Sequence, residues 1–264
     1  MTGTRPLALV TGASSGIGLE FAVHCAAHGY DLVVNSEDGA RLEAAGARLR
    51  AEGAQVRTVL ADLRDPQAVI RLHTEAMRDG RPLEIAALNA GVGRGGRFLD
   101  IDLERDFEII DLNVRSTVQL AKLVLRDMVA RNSGRMLITS SIASTMPGTY
   151  QATYNASKSF LQSFAEALSE ELADTDVVVT SLMPGPTDTD FFRRADMLDT
   201  RVGAGKKDDP AKVAEQAFAA LRSGDRRLVG GSLKTRFSEA ANKVLPDQIK
   251  AKVHSKMAEP GSGS

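Results

Sequence analysis

One cysteine, Cys25, is all the thiol chemistry this chain has. It cannot close an intramolecular disulfide, and the four histidines, His24, His28, His73 and His254, are scattered with no Cys/His spacing that suits a metal. No metal site is expected, none of the histidines is assigned a catalytic role, and a reducing cytoplasm is the expected compartment. An excess of either charge is missing as well. The 33 Lys and Arg stand against 34 Asp and Glu, interleaved, for a net charge of −1. That balance offers no field to gather nucleic acid or an anionic membrane. No apolar run approaches the length needed to span a bilayer, and residues 1–6 lack the charged-then-apolar order of a secretion signal. Internal repeats and low-complexity stretches are absent too. These absences leave a 264-residue chain expected to handle small molecules with one domain.

Against them stands a strong alternation. Short apolar runs suited to buried parallel strands lie at 7–10, 31–34, 55–60, 85–88, 135–139, 177–182 and 227–229. Helical periodicity fills 17–28, 40–51, 66–77, 103–131, 154–173 and 210–222. The pattern predicts an α/β fold: a Rossmann-type, doubly wound, parallel seven-stranded sheet, with right-handed crossovers placing helices on both faces. The domain should span 1–258, leaving 259–264 as a frayed tail or an expression remnant. Two segments exceed simple alternation. Residues 190–208, where Phe191-Phe192 gives way to basic and then Gly-rich sequence, read as a mobile lid. Residues 232–257 read as a C-terminal helical extension dotted with Lys and Arg, a solvated surface helix or one packed on the body or on a neighbouring subunit.

The turn after the first strand runs Thr11-Gly12-Ala13-Ser14-Ser15-Gly16-Ile17-Gly18 and opens a helix. Its backbone N–H groups and helix dipole can receive a pyrophosphate. Gly12 serves the tight turn, Gly16 the close approach of phosphate to main chain, and Gly18 the packing of helix on strand. Farther on, Tyr154 and Lys158 stand four residues apart on one helix face. A phenol ionises near 10 in water, too high for efficient acid–base work at neutrality, and a nearby ammonium favours the phenolate. Lys158 is therefore expected to lower the pKa of Tyr154. Met alone, such a pair is an ordinary accident of a helix surface. Here Thr139-Ser140-Ser141 follows strand five and brings hydroxyls to the carboxyl edge of the sheet, where open α/β folds bind ligands.

These residues together resemble the classical short-chain dehydrogenase/reductase family. Thr11 to Gly18 matches its TGxxxGxG turn, and further motifs agree in order: Asp62-Leu63, Asn89-Ala90-Gly91, Asn113, Ser141, Tyr154, Lys158 and Pro184-Gly185. The resemblance covers the chain to about residue 190 and implies an NAD(P)-dependent oxidoreductase with Asn113, Ser141, Tyr154 and Lys158 as its catalytic set. It implies dinucleotide contacts from Gly12, Ser14, Ser15, Gly16, Ile17 and Gly18. Asp62 and Leu63 would lie at the adenine, Asn89, Ala90 and Gly91 beside the cofactor, and Pro184, Gly185, Thr187 and Thr189 at the nicotinamide carboxamide. Ser141 would hold the substrate oxygen beside Tyr154. Asn113 would hold a water in a proton relay behind the lysine; a buried amide that merely bridges two helices is the structural alternative.

The choice of dinucleotide falls at Asn35-Ser36-Glu37-Asp38, where this fold places the adenosine ribose. A carboxylate at Glu37 would accept a ribose hydroxyl and repel a 2′-phosphate, which favours NAD(H) over NADP(H). Ser36 replaces the Asp often found in NAD-using relatives, and Glu37 and Asp38 could equally begin the next helix and face solvent. The expected reaction interconverts a carbonyl and a secondary alcohol by hydride transfer, Tyr154 exchanging the proton. A dinucleotide-binding sensor or scaffold without chemistry is the alternative from another class. A sugar-nucleotide epimerase or dehydratase would need a larger C-terminal substrate domain. Residues 92–98 and 191–194 combine apolar surface with arginines and should wall the pocket. Both a 3-oxoacyl thioester and a plain apolar ketone or alcohol would suit them. The long helices at 103–131 and 154–173 suggest a homodimer or homotetramer, since such helices pair between subunits in look-alikes.

Overall fold

The computed structural model describes residues 5–242 and 245–263. Seven strands, β1 (Leu7–Thr11), β2 (Asp31–Ser36), β3 (Val56–Leu60), β4 (Leu83–Leu88), β5 (Gly134–Thr139), β6 (Val177–Pro184) and β7 (Arg227–Gly230), make one parallel sheet. Its spatial order is β3-β2-β1-β4-β5-β6-β7, so the direction of winding reverses between β1 and β4. This is the doubly wound arrangement the alternation predicts.

Strand side chains alternate, and that sorts the core into two layers. From β1, Leu7 and Leu9 join Val69 and Leu72 of α3 (Pro66–Met77), Leu120 and Val124 of α5 (Ser116–Ala130) and Leu161 of α6 (Ala152–Glu171). Ala8 and Val10 join Phe21 of α1 (Gly16–Ala27), Leu42 and Leu49 of α2 (Gly39–Ala51) and Phe218 and Leu221 of α9 (Pro210–Ser223). Helix starts are chemically marked. Asp38, Asp65 and Asp209 accept N–H bonds from Arg41, Gln67 and Ala211, and Pro66 and Pro210 occupy first helical positions.

Three expectations need correction. The single helix expected over 103–131 divides into α4 (Leu103–Ile109), a π-helical turn at Ile110–Arg115, and α5. The turn inserts an extra residue and re-aims the buried Asn113 toward the loop after β4. The C-terminal extension forms α10 (Leu233–Asn242) and α11 (Asp247–Ala258), and α11 is not a solvated surface helix. Its Ala258 packs with Phe192, Ala195 and Met197 in a third small core. The tail is held rather than frayed: the Gly263 N–H donates to the Asp199 carbonyl at 2.7 Å and the Gly261 N–H to the Asp199 carboxylate at 2.8 Å.

The segment expected as a lid holds two short helices, α7 (Phe191–Arg194) and α8 (Arg201–Ala204). Its ends are laced together. The Asp188 N–H donates to the Asp208 carbonyl and the Asp208 N–H to the Pro186 carbonyl, both at 2.8 Å. Among the described residues no helix is long and apolar enough to cross a membrane.

Candidate active site

At the carboxyl ends of the strands, beside the reversal between β1 and β4, opens a cavity of about 440 Å³. Every site residue expected from the sequence lines it except Gly18 and Asn113, which stand behind the wall. The glycines make a cradle that side chains would fill. Gly12 and Gly16 have φ of 65° and 57°, and a Cβ on them would lie 2.9 Å from the Ala90 Cα and 2.8 Å from the Thr189 Cγ2. A Cβ on Gly18 would press onto the Gly12 carbonyl oxygen. Ser15, at the N-cap of α1, makes no side-chain capping bond, so the helix's first N–H groups are left to a ligand. Turn, cavity and helix end together fit a dinucleotide pyrophosphate.

Thr11 fixes this turn to the loop after β4. Its hydroxyl accepts from the N–H groups of Asn89 at 2.9 Å and Ala90 at 3.0 Å, while Asn89 Oδ1 accepts from Thr139 at 3.2 Å. The tips of β1, β4 and β5 are thereby cross-linked under the cavity. At the end of β2, where the adenosine is expected, the Ser36 hydroxyl donates to Ser14 Oγ at 2.8 Å. Glu37 does not face solvent alone. Arg64 bonds it at 2.6 Å and Asp62 at 2.9 Å, and these contacts hold the Asp62 carboxyl below its usual range. Arg41 also lines the cavity and reaches Asp38 at 3.4 Å and Asp190 at 2.5 Å. Neither arginine was foreseen, because each meets a local carboxylate, Asp62 or Asp38, and a distant one, Glu37 or Asp190, that only tertiary approach supplies.

At the other end, Ser141 caps a short turn by accepting from the Ala143 N–H at 3.1 Å, and its hydroxyl stands beside the Tyr154 phenol. The Lys158 ammonium donates to the Thr139 carbonyl at 2.9 Å and lies 5.9 Å from the centre of the Tyr154 ring. Ser140 is spent on the Lys158 carbonyl and Ser144 on that of Ser141. The expected depression of the Tyr154 pKa is not found in this arrangement. Lost hydration pushes the phenol up to about 12, only the Ser141 hydroxyl pulling the other way, and burial brings Lys158 down to about 8. The ammonium is directed at a carbonyl and the ring face, so desolvation outweighs it.

Asn113 is fully buried in the π-helical turn. Its Oδ1 accepts from the Val92 N–H at 2.9 Å, and its amide N–H groups donate to the Val92 carbonyl at 2.9 Å and Ser157 Oγ at 3.0 Å. Both amide hydrogens are thus committed to protein partners, and the residue ties the loop after β4 to the helix of Tyr154.

The remaining wall is apolar and partly unforeseen. Val92, Phe191 and Phe192 line the cavity as expected, with Phe191 5.1 Å from the Tyr154 ring. Arg193 and Arg194 line it too, whereas Arg94 is turned away to Asp196 at 2.5 Å. Gln151, His254, Met257 and Ala258 complete it, although the sequence assigned no histidine to any site.

Comparison with known proteins agrees with this geometry. Residues 6–197 match the short chain dehydrogenase family. An uncharacterized oxidoreductase of Staphylococcus saprophyticus is 33% identical over 217 residues, spanning 82% of this chain and 91% of its own. A short-chain dehydrogenase from Sphingobium yanoikuyae, solved in complex with NADPH, superposes with a TM-score of 0.79 at 28% identity, covering 90% of this chain and 93% of that one. A short chain dehydrogenase/reductase from Burkholderia phymatum in complex with NAD shares the fold, with a TM-score of 0.84 at 23% identity over 96% of this chain and 97% of that one. On its matched length, its parallel sheet and its cradle, the chain belongs to the short-chain dehydrogenase family of oxidoreductases.

Proposed function

We propose that the protein interconverts a carbonyl and a secondary alcohol with Ser141, Tyr154 and Lys158 as its catalytic residues. The convergence of these three on one wall of the dinucleotide-sized cavity carries the reading. When bound, the nicotinamide supplies or accepts the hydride. Tyr154 then donates the proton at its Oη to the carbonyl oxygen, and Ser141 Oγ shares the developing charge. A phenol held neutral is the acid that reduction needs; oxidation needs its proton removed first. Lys158 places a charge within reach of the phenolate so formed. Asn113 is the positioning residue, acting through Val92 and Ser157. A sensor without chemistry would have no use for a buried ammonium beside a phenol, which favours the enzyme.

For the carrier we propose NAD(H) ahead of NADP(H). Arg41 and Arg64 are each already met by carboxylates, those of Asp38 and Asp190 and of Glu37, Asp62 and Glu108. A 2′-phosphate would add charge where carboxylates outnumber guanidinium groups. For the substrate, we propose an apolar ketone or alcohol ahead of a 3-oxoacyl thioester, because Arg94 and Arg193 are held by Asp196 and Asp190 and Arg194 is exposed to solvent. For assembly we propose a homodimer or homotetramer: Leu103 and Phe107 on α4, Ile110 at the start of the π-helical turn and Phe160 on α6 are exposed on neighbouring elements. The one cysteine, buried and unpaired, supports a cytoplasmic location.

Titrating wild type and Tyr154→Phe with NADH and NADPH, followed by a carbonyl and alcohol panel, tests the reading. Binding by both forms with turnover by wild type alone is expected. Failure of both dinucleotides to bind would sink it.

A further inference from the structure

The substrate half of the cavity carries two polar side chains that hydride transfer does not use. Gln151 is buried at the N-cap of α6, makes no capping bond, and among the described residues its side-chain amide has no hydrogen-bond partner. The amide lines the cavity, so one donor pair and one acceptor are left to whatever fills it. His254, from α11, lines the cavity as well and is also buried. Its Nδ1 bonds the Thr149 carbonyl at 2.9 Å. A carbonyl only accepts, so Nδ1 carries the hydrogen and Nε2 presents a lone pair. The nearest protein donor to that lone pair is Asn155 Nδ2, 3.5 Å away and already shared between the Ala143 and Met146 carbonyls at 3.1 and 3.3 Å.

The Gln151 amide facing the cavity and the weakly partnered His254 imidazole are groups on this wall that protein contacts leave available to a ligand. The wall around them, including Ile142, Met146, Phe192 and Met257, is apolar. His254 is bonded to Thr149, two residues before Gln151, at the start of the helix that carries Tyr154.

We infer that Gln151 and His254 form a second polar anchor, and that the substrate is an apolar ketone or alcohol bearing another hydroxyl, remote from the reacting carbon, which Gln151 and His254 hold. A hydroxyl fits because it donates to Nε2 and accepts from the amide at once; an ether or ketone oxygen offers Nε2 nothing. The inference rests on the proposed carbonyl chemistry for the identity of the reacting group, and on the anchor's own geometry for the hydroxyl.

The test uses matched monocyclic and fused-ring ketones with and without a second hydroxyl. Their binding to the full chain with bound dinucleotide is followed by ligand-observed nuclear magnetic resonance, and their turnover by nicotinamide absorbance. At the right spacing the hydroxylated member of a pair should bind about tenfold tighter and show that gain in KM rather than kcat. Gln151→Leu and His254→Leu should each collapse the preference, and His254→Gln, which keeps an acceptor, should restore part of it. Thermal melting checks that α11 still docks in the variants. Ketones turned over with no preference for any hydroxylated partner would overturn the anchor alone. Preferential binding without turnover of any ketone would uphold the anchor and remove the carbonyl reading.

Discussion

Arg41 and Asp190 meet at 2.5 Å from opposite lips of the dinucleotide groove, one on α2 beyond the adenosine side and the other just before α7 on the nicotinamide side. Arg193 adds a second contact to the same carboxylate at 3.1 Å, and the two guanidinium groups hold the Asp190 carboxyl down at about 2. The carboxylate is charged at any working pH. We expect this bridge to stand in the path by which a dinucleotide leaves the cradle. Asp190→Asn should therefore speed release of bound NADH in a stopped-flow displacement experiment. The gain should be modest, about two- to fivefold, because the pair is partly exposed and such pairs contribute little. An unchanged rate would show that the bridge yields without resistance.

Removing the Tyr154 hydroxyl should cost kcat roughly 10²- to 10⁴-fold, the range for a lost general acid, with dinucleotide affinity little changed. The comparison of a turnover assay with a binding titration separates chemistry from folding. A loss of affinity equal to the loss of rate would make Tyr154 a structural residue.

The direction of the reaction should show in its pH dependence. With the phenol pushed up to about 12, Tyr154 is protonated and competent as an acid through neutrality. Reduction should be level on the acid side and decline as pH rises past about 8, where Lys158 loses its charge and with it the support for phenolate. Oxidation needs the phenolate and should climb with pH until that same loss intervenes. Initial rates in both directions across a pH series check this, and a reductive rate that rises with pH would contradict it.

Much of this was legible in order along the chain, and the reason is physical. Strands buried on both faces must be continuously apolar, as Leu7 to Val10 and Ile85 to Leu88 are, and helix starts such as Asp65-Pro66 advertise themselves. The cradle glycines and the Tyr154–Lys158 pair are local patterns too. What stayed hidden depends on distant approach. Nothing near residue 254 in the sequence hints at the Thr149 carbonyl, 105 positions away, and a helix dotted with lysines looks solvated until Phe192 and Met197 close over its end. The π-helical turn escaped because Asn113 lies amid unbroken helical periodicity, and only the Val92 main chain explains why an extra residue is worth inserting there.

Asn113→Ala removes three hydrogen bonds and leaves the Val92 N–H and carbonyl facing a void. A loss of about 2–4 kcal/mol in unfolding free energy is expected from denaturant titration. Gly18→Ala should be harsher on binding than on stability: its Cβ would stand 2.5 Å from Asn89 Nδ2 and push the turn out of shape. Dinucleotide titration on the folded variant is the check, and near-normal affinity would mean the turn can shift to accept a methyl.

Self-association offers a further check. Phe107→Glu places a charge amid the exposed apolar residues of α4 and should shift light scattering toward monomer at micromolar protein. An unchanged mass would move the contact to another face.

The bridge between Thr187 and Asp208 gives the segment between them a closed stem. Because chain leaves and rejoins the body at nearly one point, the sheet neither specifies nor senses how long the excursion is. Exchanging residues 189–207 with the stem retained would leave β6 and α9 in place and re-cut substrate preference, and would require α11 and the tail, which lean on Phe192, Met197 and Asp199, to be exchanged with them.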